Sequence, residues 1–193
     1  MKLLELFSGT KSVSKVALEL GLEVVSLDRD LEADIRIDIM DWDYKQYEPH
    51  YFDIIWASPP CTEYSIAKTT GIRDIALANT IVKRTLEIIE YLEPKWFMVE
   101  NPQTGYLKHQ DFMQYLRYTD IDYCKYGMPY RKALDSGTMY IVGLPAPYAK
   151  RIVILWMVTD TCKPLNRDQE AQGTPGVTLG LSEEKNYTKS LLN

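Results

Sequence analysis

Histidine is almost missing from this chain, with two residues in 193, and the three cysteines Cys61, Cys124 and Cys162 form no Cys-x-x-Cys pair. Neither a zinc site nor a disulfide framework is expected from so few ligands, and free thiols suit a reducing cytoplasm. Positive charge is also short: 22 Lys and Arg against 27 Asp and Glu leave a net charge of −5. That removes the global basic footprint of many nucleic-acid binders and leaves any such contact to a local basic face. No apolar run approaches membrane-spanning length, and the chain opens on a strand-like segment rather than a secretory signal. A soluble, intracellular protein with no membrane partner and no metal is expected, and a monomer.

What is present is an ordinary globular composition, 46% hydrophobic and 25% charged, in a chain long enough for one domain with a proper core. Strand and helix signals alternate. Lys2 to Phe7 reads as a strand, Ser8 to Ser12 as a turn, and Val13 to Leu20 as a short helix closed by Gly21. Leu22 to Leu27 is a second strand ending in Asp28, Ile35 to Ile37 a brief third running into Asp38, and Phe52 to Ala57 a fourth. Ile75, Ile81, Leu86, Ile88, Ile89 and Leu92 make a helical stripe that Pro94 stops, and Trp96 to Glu100 is a fifth strand. The alternation predicts an α/β fold with a mostly parallel sheet and helices on both faces. After Ala133 the character changes: segments 138–142 and 151–158 have strand character, and 161–193 is polar with weak periodicity, a loop or poorly ordered tail.

The most informative run is Ala57-Ser-Pro-Pro-Cys61-Thr-Glu-Tyr-Ser65. It places a cysteine on a stiff loop at the carboxyl end of a buried strand, the edge where open α/β sheets bind ligands. A thiol is the side chain most ready to act as a nucleophile near neutral pH, although a buried free cysteine alone serves equally as a small apolar filler. Gly9, after the first strand, allows the backbone to approach a cofactor at a helix N-terminus. Asp28 and Asp38 end the next two strands, where nucleotide-binding folds place acids and where caps or solvated turn residues also occur. Glu100 ends an otherwise apolar strand at the same edge as Cys61, and partial desolvation there raises a carboxyl pKa, as suits a group that holds or delivers a proton.

Taken in order, Phe7-Ser-Gly9, Asp28, Asp38-Ile39, Pro59-Pro60-Cys61 with Ser65, Glu100-Asn101 and Tyr126-Gly127-Met-Pro129 resemble the DNA cytosine C5-methyltransferases, most of all the small versions carried by bacteriophages. The resemblance covers residues 1–132. It implies a Rossmann-like S-adenosylmethionine-dependent methyltransferase fold, with a catalytic domain over 1–160 of which 133–160 is atypical. It implies that the Cys61 thiolate adds to C6 of a cytosine flipped out of DNA, while Glu100 binds N3 and the exocyclic amine and stabilises the protonated ring. Phe7, Gly9, Asp28, Asp38 and Ile39 would hold S-adenosylmethionine, with Asp28 on the ribose hydroxyls and Asp38 on the adenine amine. Pro60, Ser65, Asn101 and Lys132 would contact the substrate. Restriction-modification or masking of a phage genome in the host cytoplasm is the setting the resemblance implies. RNA cytosine methylation is the first alternative, since nothing in Cys61 or Glu100 separates the two nucleic acids. An inactive or truncated relative that only binds cofactor or DNA is the second.

The chain departs from the family in three places. Lys11 replaces the second glycine of the cofactor loop, and since lysine does not take positive φ cheaply, the loop is expected to differ or the lysine to point outward. The Gln-x-Arg-x-Arg positions hold Tyr130, Lys132 and Leu134, so one point charge stands in for two forked arginines. The recognition region and closing C-terminal segment are not matched. A shift of reading frame accounts for the break: from the third base of the Lys132 codon, the codons of Ala133 to Met139 can spell Ser-Thr-Arg-Phe-Trp-Asn-Asn. Around the proposed pocket, Lys68, Arg73, Lys108, Arg131 and Lys132 are candidate phosphate contacts, set against the ordinary reading of each as a solvated charge.

Overall fold

The computed structural model describes residues 1–66, 68–122 and 138–142. Its elements are β1 (Lys2–Leu6), α1 (Ser12–Glu19), β2 (Glu23–Asp28), β3 (Ile35–Arg36), β4 (Ile54–Ala57), α2 (Ile75–Leu92), β5 (Trp96–Pro102), β6 (Tyr118–Asp122) and β7 (Thr138–Val142). The seven strands form one sheet in the order β3-β2-β1-β4-β5-β7-β6. Strands β1 to β5 are parallel, and β7 inserts antiparallel to both β5 and β6. The chain winds outward from β1 through β2 to β3, then returns to β4 on the other side of β1. The crevice at the carboxyl ends of β1 and β4 is therefore the topological switch point of the sheet, the place where such folds bind ligands.

Side-chain alternation assigns the two faces of the sheet. Leu4, Leu6, Leu27, Ile55, Ala57 and Val99 share one buried cluster with Ala78, Val82, Ile88, Ile89 and Leu92 of α2. The opposite face carries buried Leu3, Ile54, Trp56 and Met98, outside that cluster, and α1 packs over β1 and β2 with Val13, Val16 and Ala17 buried. Helices thus cover both faces, as the alternating sequence predicts. Each helix ends where its chemistry dictates. Gly21, at φ 78°, follows α1 and donates its amide to Leu18 O. The Asp74 carboxylate accepts from Leu77 N to cap α2, and Glu93 in the left-handed region followed by Pro94 ends it.

Beyond one-residue shifts at the ends of β1, α1, β2 and β3, two boundaries and one strand differ from the sequence reading. β4 begins at Ile54 rather than Phe52, because Phe52 is a fully buried core side chain and the Asp53 carboxylate accepts from Lys2 N at 2.7 Å. β5 runs two residues past Glu100, because β7 pairs with Asn101 and Pro102. β6 has no strong apolar alternation and was not foreseen; it exists through its pairing with β7. The strand expected over 151–158, the tail over 161–193, the Tyr126–Pro129 turn and Lys132 lie outside the described residues.

Candidate active site

The loop leaving β1 is held in three left-handed steps: Phe7 at φ 60°, Gly9 at φ 53° and Lys11 at φ 58°. Lys11 thus corrects the expectation raised by its sequence: the lysine takes the glycine-like conformation itself. It is fixed there because its amide donates to Ser8 O at 2.7 Å and its carbonyl accepts from Lys15 N at 3.0 Å as α1 begins. Left-handed backbone costs a residue with a Cβ about 1–2 kcal/mol. Lys11 offers no side-chain cap to α1. Glu5 does so from β1 instead, accepting from both the amide of Ser14, at 2.9 Å, and its hydroxyl. Burial raises the Glu5 pKa, against the opposing pull of these bonds.

Asp28, at the end of β2, ties this loop to its neighbour. One carboxylate oxygen accepts from Gly9 N at 2.8 Å, and the other from Asp30 N and Leu31 N at 2.9 and 2.8 Å. Desolvation, the largest single influence, pushes its pKa up, but the three amides together win and hold it below the ordinary value. A carboxylate has about four lone-pair positions, so Asp28 keeps capacity for a hydroxyl group. Asp38 accepts from Met40 N at 2.9 Å and pairs with the Arg29 guanidinium at 3.5 Å. Phe7, Asp28, Asp38, Ile39, Pro60 and Ile81 line one cavity at this edge. Apolar walls with three acids, of which Asp30 is paired to Arg29, suit a nucleoside, whose ring packs and whose hydroxyls and amine donate. The Ser8 hydroxyl in the same loop is buried and has no hydrogen-bond partner among the described residues, a polar group that a bound cofactor would satisfy. The residues present fit S-adenosylmethionine.

The loop that carries Cys61 leaves β4 beside that cavity. Ser58 N still donates to Leu6 O at 3.2 Å, Pro59 and Pro60 follow, and the carbonyl of Cys61 accepts from Tyr64 N and Ser65 N at 3.0 and 2.8 Å, closing a turn. Asn101, 1% exposed, donates from Nδ2 to Pro59 O at 3.0 Å. Tyr64 is fully buried and donates its hydroxyl to Asn79 of α2 at 2.8 Å, while its carbonyl accepts from Tyr106 N at 2.9 Å. Arg73 gathers the rest of the loop, donating to the carbonyls of Glu63, Ser65 and Lys68 at 3.0, 2.6 and 2.8 Å. Lys68 is paired with Glu63 at 2.6 Å. Two of the five candidate phosphate contacts, Lys68 and Arg73, are thus engaged inside the loop.

Cys61 and Glu100 meet electrostatically. The thiol is half-buried and free, and its pKa is raised first by burial and then by the nearby Glu100 charge. Glu100 is itself half-buried with a desolvated carboxyl, pushed up to about 7 by burial against a hydrogen bond from Ser58 that pulls it down. Near pH 7 the thiol therefore stays protonated while the carboxyl is about half protonated, the state in which a group can both hold and release a proton.

Of the residues singled out from sequence, the structure brings Phe7, Gly9, Asp28, Asp38, Ile39 and Pro60 around the cavity and its loop, with Cys61, Ser65, Glu100 and Asn101 beside it. Lys132 lies outside the described residues. The sequence reading takes Arg73 as a candidate phosphate contact and Ile81 as part of the helical stripe, and assigns no role to Ser58. Ser58 follows Trp56 by two residues, and the pairing of Ala57 with Val99 sets it next to Glu100, a register that the sequence does not show. Among the described residues no group of three His, Cys, Asp or Glu is placed to hold a metal, and no helix is long and apolar enough to cross a membrane.

Residues 27–117 match the family model of the C-5 cytosine-specific DNA methylases. A probable DNA (cytosine-5)-methyltransferase of Frog virus 3 (isolate Goorha) is 37% identical over 147 residues, 68% of this chain and 67% of the viral protein. Among solved structures, the Dnmt2 methyltransferase of S. pombe superposes with a TM-score of 0.51 over 74% of this chain at 12% identity, a likeness of fold. This chain spans about half the length of that one, 48%. With its sheet order and switch-point cavity, the fold is the Rossmann-like one of the S-adenosylmethionine-dependent methyltransferases, and the chain belongs to the C-5 cytosine-specific DNA methylase family.

Proposed function

We propose that this protein transfers a methyl group from S-adenosylmethionine to C5 of cytosine in DNA through a covalent bond between Cys61 and C6. The observation that carries the reading is the coupling of Cys61 to Glu100 beside a cavity whose wall includes Pro60, the residue before the nucleophile. Phe7, Asp28, Asp38 and Ile39 hold the cofactor, Asp28 taking a ribose hydroxyl and Asp38 the adenine amine. Bound there, S-adenosylmethionine supplies the electrophilic methyl group that C5 accepts.

The chain's own residues do the rest. C5 of cytosine is a poor nucleophile until something adds to C6. The Cys61 thiolate forms the Sγ–C6 bond, the C5=C6 π pair moves onto C5, and the proton held by Glu100 offsets the charge that grows at N3. A Glu100 with a pKa of about 7 keeps that proton in about half of the molecules at neutral pH, where an ordinary carboxylic acid has lost it. After methylation, loss of the C5 proton to a base restores the double bond, breaks Sγ–C6 and returns the thiolate. The cytosine must leave the duplex to reach this loop. With net charge −5, and Lys68 and Arg73 engaged within the loop, affinity for the phosphates is modest and falls with salt. The protein acts as a monomer in the cytoplasm.

The test is transfer of labelled methyl from S-adenosylmethionine to matched DNA and RNA, with Cys61→Ala and Glu100→Gln as controls. Label in DNA cytosine, lost in both variants, supports the proposal. Label confined to RNA transfers the same chemistry to the other nucleic acid, and no label in either with cofactor bound identifies an inactive relative.

A further inference from the structure

We infer that Ser58, oriented by the indole of Trp56, is the positioning residue that holds the Glu100 carboxyl and directs its proton to the oxygen facing the base. The role assigned to the proton rests on the proposed methyl transfer; the contact itself does not.

Three observations carry it. Trp56 and Ser58 stand two residues apart at the end of β4, so they project from the same face of the sheet. Ala57 pairs with Val99 in the β4–β5 register, which sets Ser58 beside Glu100 across the strand boundary. Trp56 Nε1 donates to Ser58 Oγ at 2.9 Å, and Ser58 is hydrogen-bonded to Glu100. An indole nitrogen is a donor only and a hydroxyl has a single hydrogen. With Trp56 occupying one lone pair of Ser58, the hydroxyl hydrogen is what Ser58 presents to the carboxylate. The Glu100 oxygen that accepts it is already engaged, so a proton taken up by Glu100 goes to the other oxygen. Trp56 is 2% exposed and Ser58 half-buried, so the relay is fixed by packing rather than by solvent.

The device matters because Glu100 has few other partners among the described residues. Among the described residues the ionisable group that faces it is the Cys61 thiol on the loop after β4. Its neighbour in register on β7 is Ile141, which carries no charge. A hydroxyl that favours the ionised form also keeps the acid near neutrality, where it both holds and releases its proton, instead of leaving it locked in the neutral state by burial.

The experiment is a direct titration of Glu100 in the full chain by carbon-detected NMR of labelled glutamate, assigned with Glu100→Gln. Ser58→Ala is expected to raise the Glu100 midpoint by about one pH unit, the size of a hydrogen bond to a charged group. Ser58→Thr, which keeps the hydroxyl, is expected to restore it, and Trp56→Phe to move it the same way by less. A Ser58→Ala titration that superposes on the parent overturns the inference, as does a shift that Ser58→Thr fails to reverse. Because the readout needs no nucleic acid or turnover, a chain that proves inactive toward DNA still answers the question, and the two failures are told apart.

Discussion

Asn101 Nδ2 donates to the carbonyl of Pro59 at 3.0 Å, joining the end of β5 to the stiff loop that carries Cys61. The asparagine beside Glu100 thereby sets where the thiol stands relative to the carboxyl. Both prolines lack an amide donor, so the Pro59 carbonyl is a natural hold on this run. Asn101→Ala is expected to cost about 1–3 kcal/mol of stability, the penalty for an unmade buried bond. Methyl transfer is expected to fall more than tenfold while cofactor affinity, measured by calorimetry, stays within twofold.

Removing the charge next to the nucleophile should make Cys61 more acidic. Burial and the Glu100 charge both hold the thiol up, so Glu100→Gln relieves the second and leaves the first. Above pH 7, where Glu100 is ionised, alkylation of Cys61 by iodoacetamide is expected to run severalfold faster in the variant. The reaction is followed at the Cys61 peptide by mass spectrometry, which separates it from Cys124 and Cys162.

The same carboxyl makes stability depend on pH. A folded-state pKa of about 7 against a reference of 4.5 means that folding favours the neutral acid. That contribution is complete below pH 4.5 and is lost as pH rises through 7. At ~1.4 kcal/mol per pH unit, the loss across this range is about 3 kcal/mol. Glu5 adds to it in the same direction. Glu100→Gln is expected to match the parent near pH 4.5 and to exceed it by up to about 3 kcal/mol at pH 8 in urea unfolding, at the expense of catalysis.

Arg73 separates a structural from a phosphate-binding role. It donates to three carbonyls of the nucleophile loop, a geometry that lysine cannot copy. Arg73→Lys is therefore expected to lose most of the activity and to open residues 62–72 to limited proteolysis. A phosphate contact alone would survive the exchange with modest loss and no change in proteolysis.

Much of this was legible beforehand. Buried parallel strands announce themselves as short apolar runs, and Pro-Pro-Cys and Glu-Asn single out by residue type the two groups proposed to react. What escaped the sequence reading depends on pairing across distance. β6 has no periodicity of its own and is defined by β7. Ser58 and Arg73 act only once β5 and the loop are folded against them. Lys11 was misjudged because propensity says what a left-handed position costs, not whether two backbone hydrogen bonds will hold a lysine there.

The most direct measurement is trapping on DNA containing 5-fluorocytosine in the presence of S-adenosylmethionine, comparing the chain with Cys61→Ser. Fluorine at C5 is not lost as a proton is, so the Sγ–C6 bond formed in turnover cannot be broken. A denaturation-resistant complex is expected that requires both Cys61 and the cofactor. Cofactor binding without any such complex, on DNA of mixed sequence and on the corresponding RNA, would contradict covalent catalysis by Cys61.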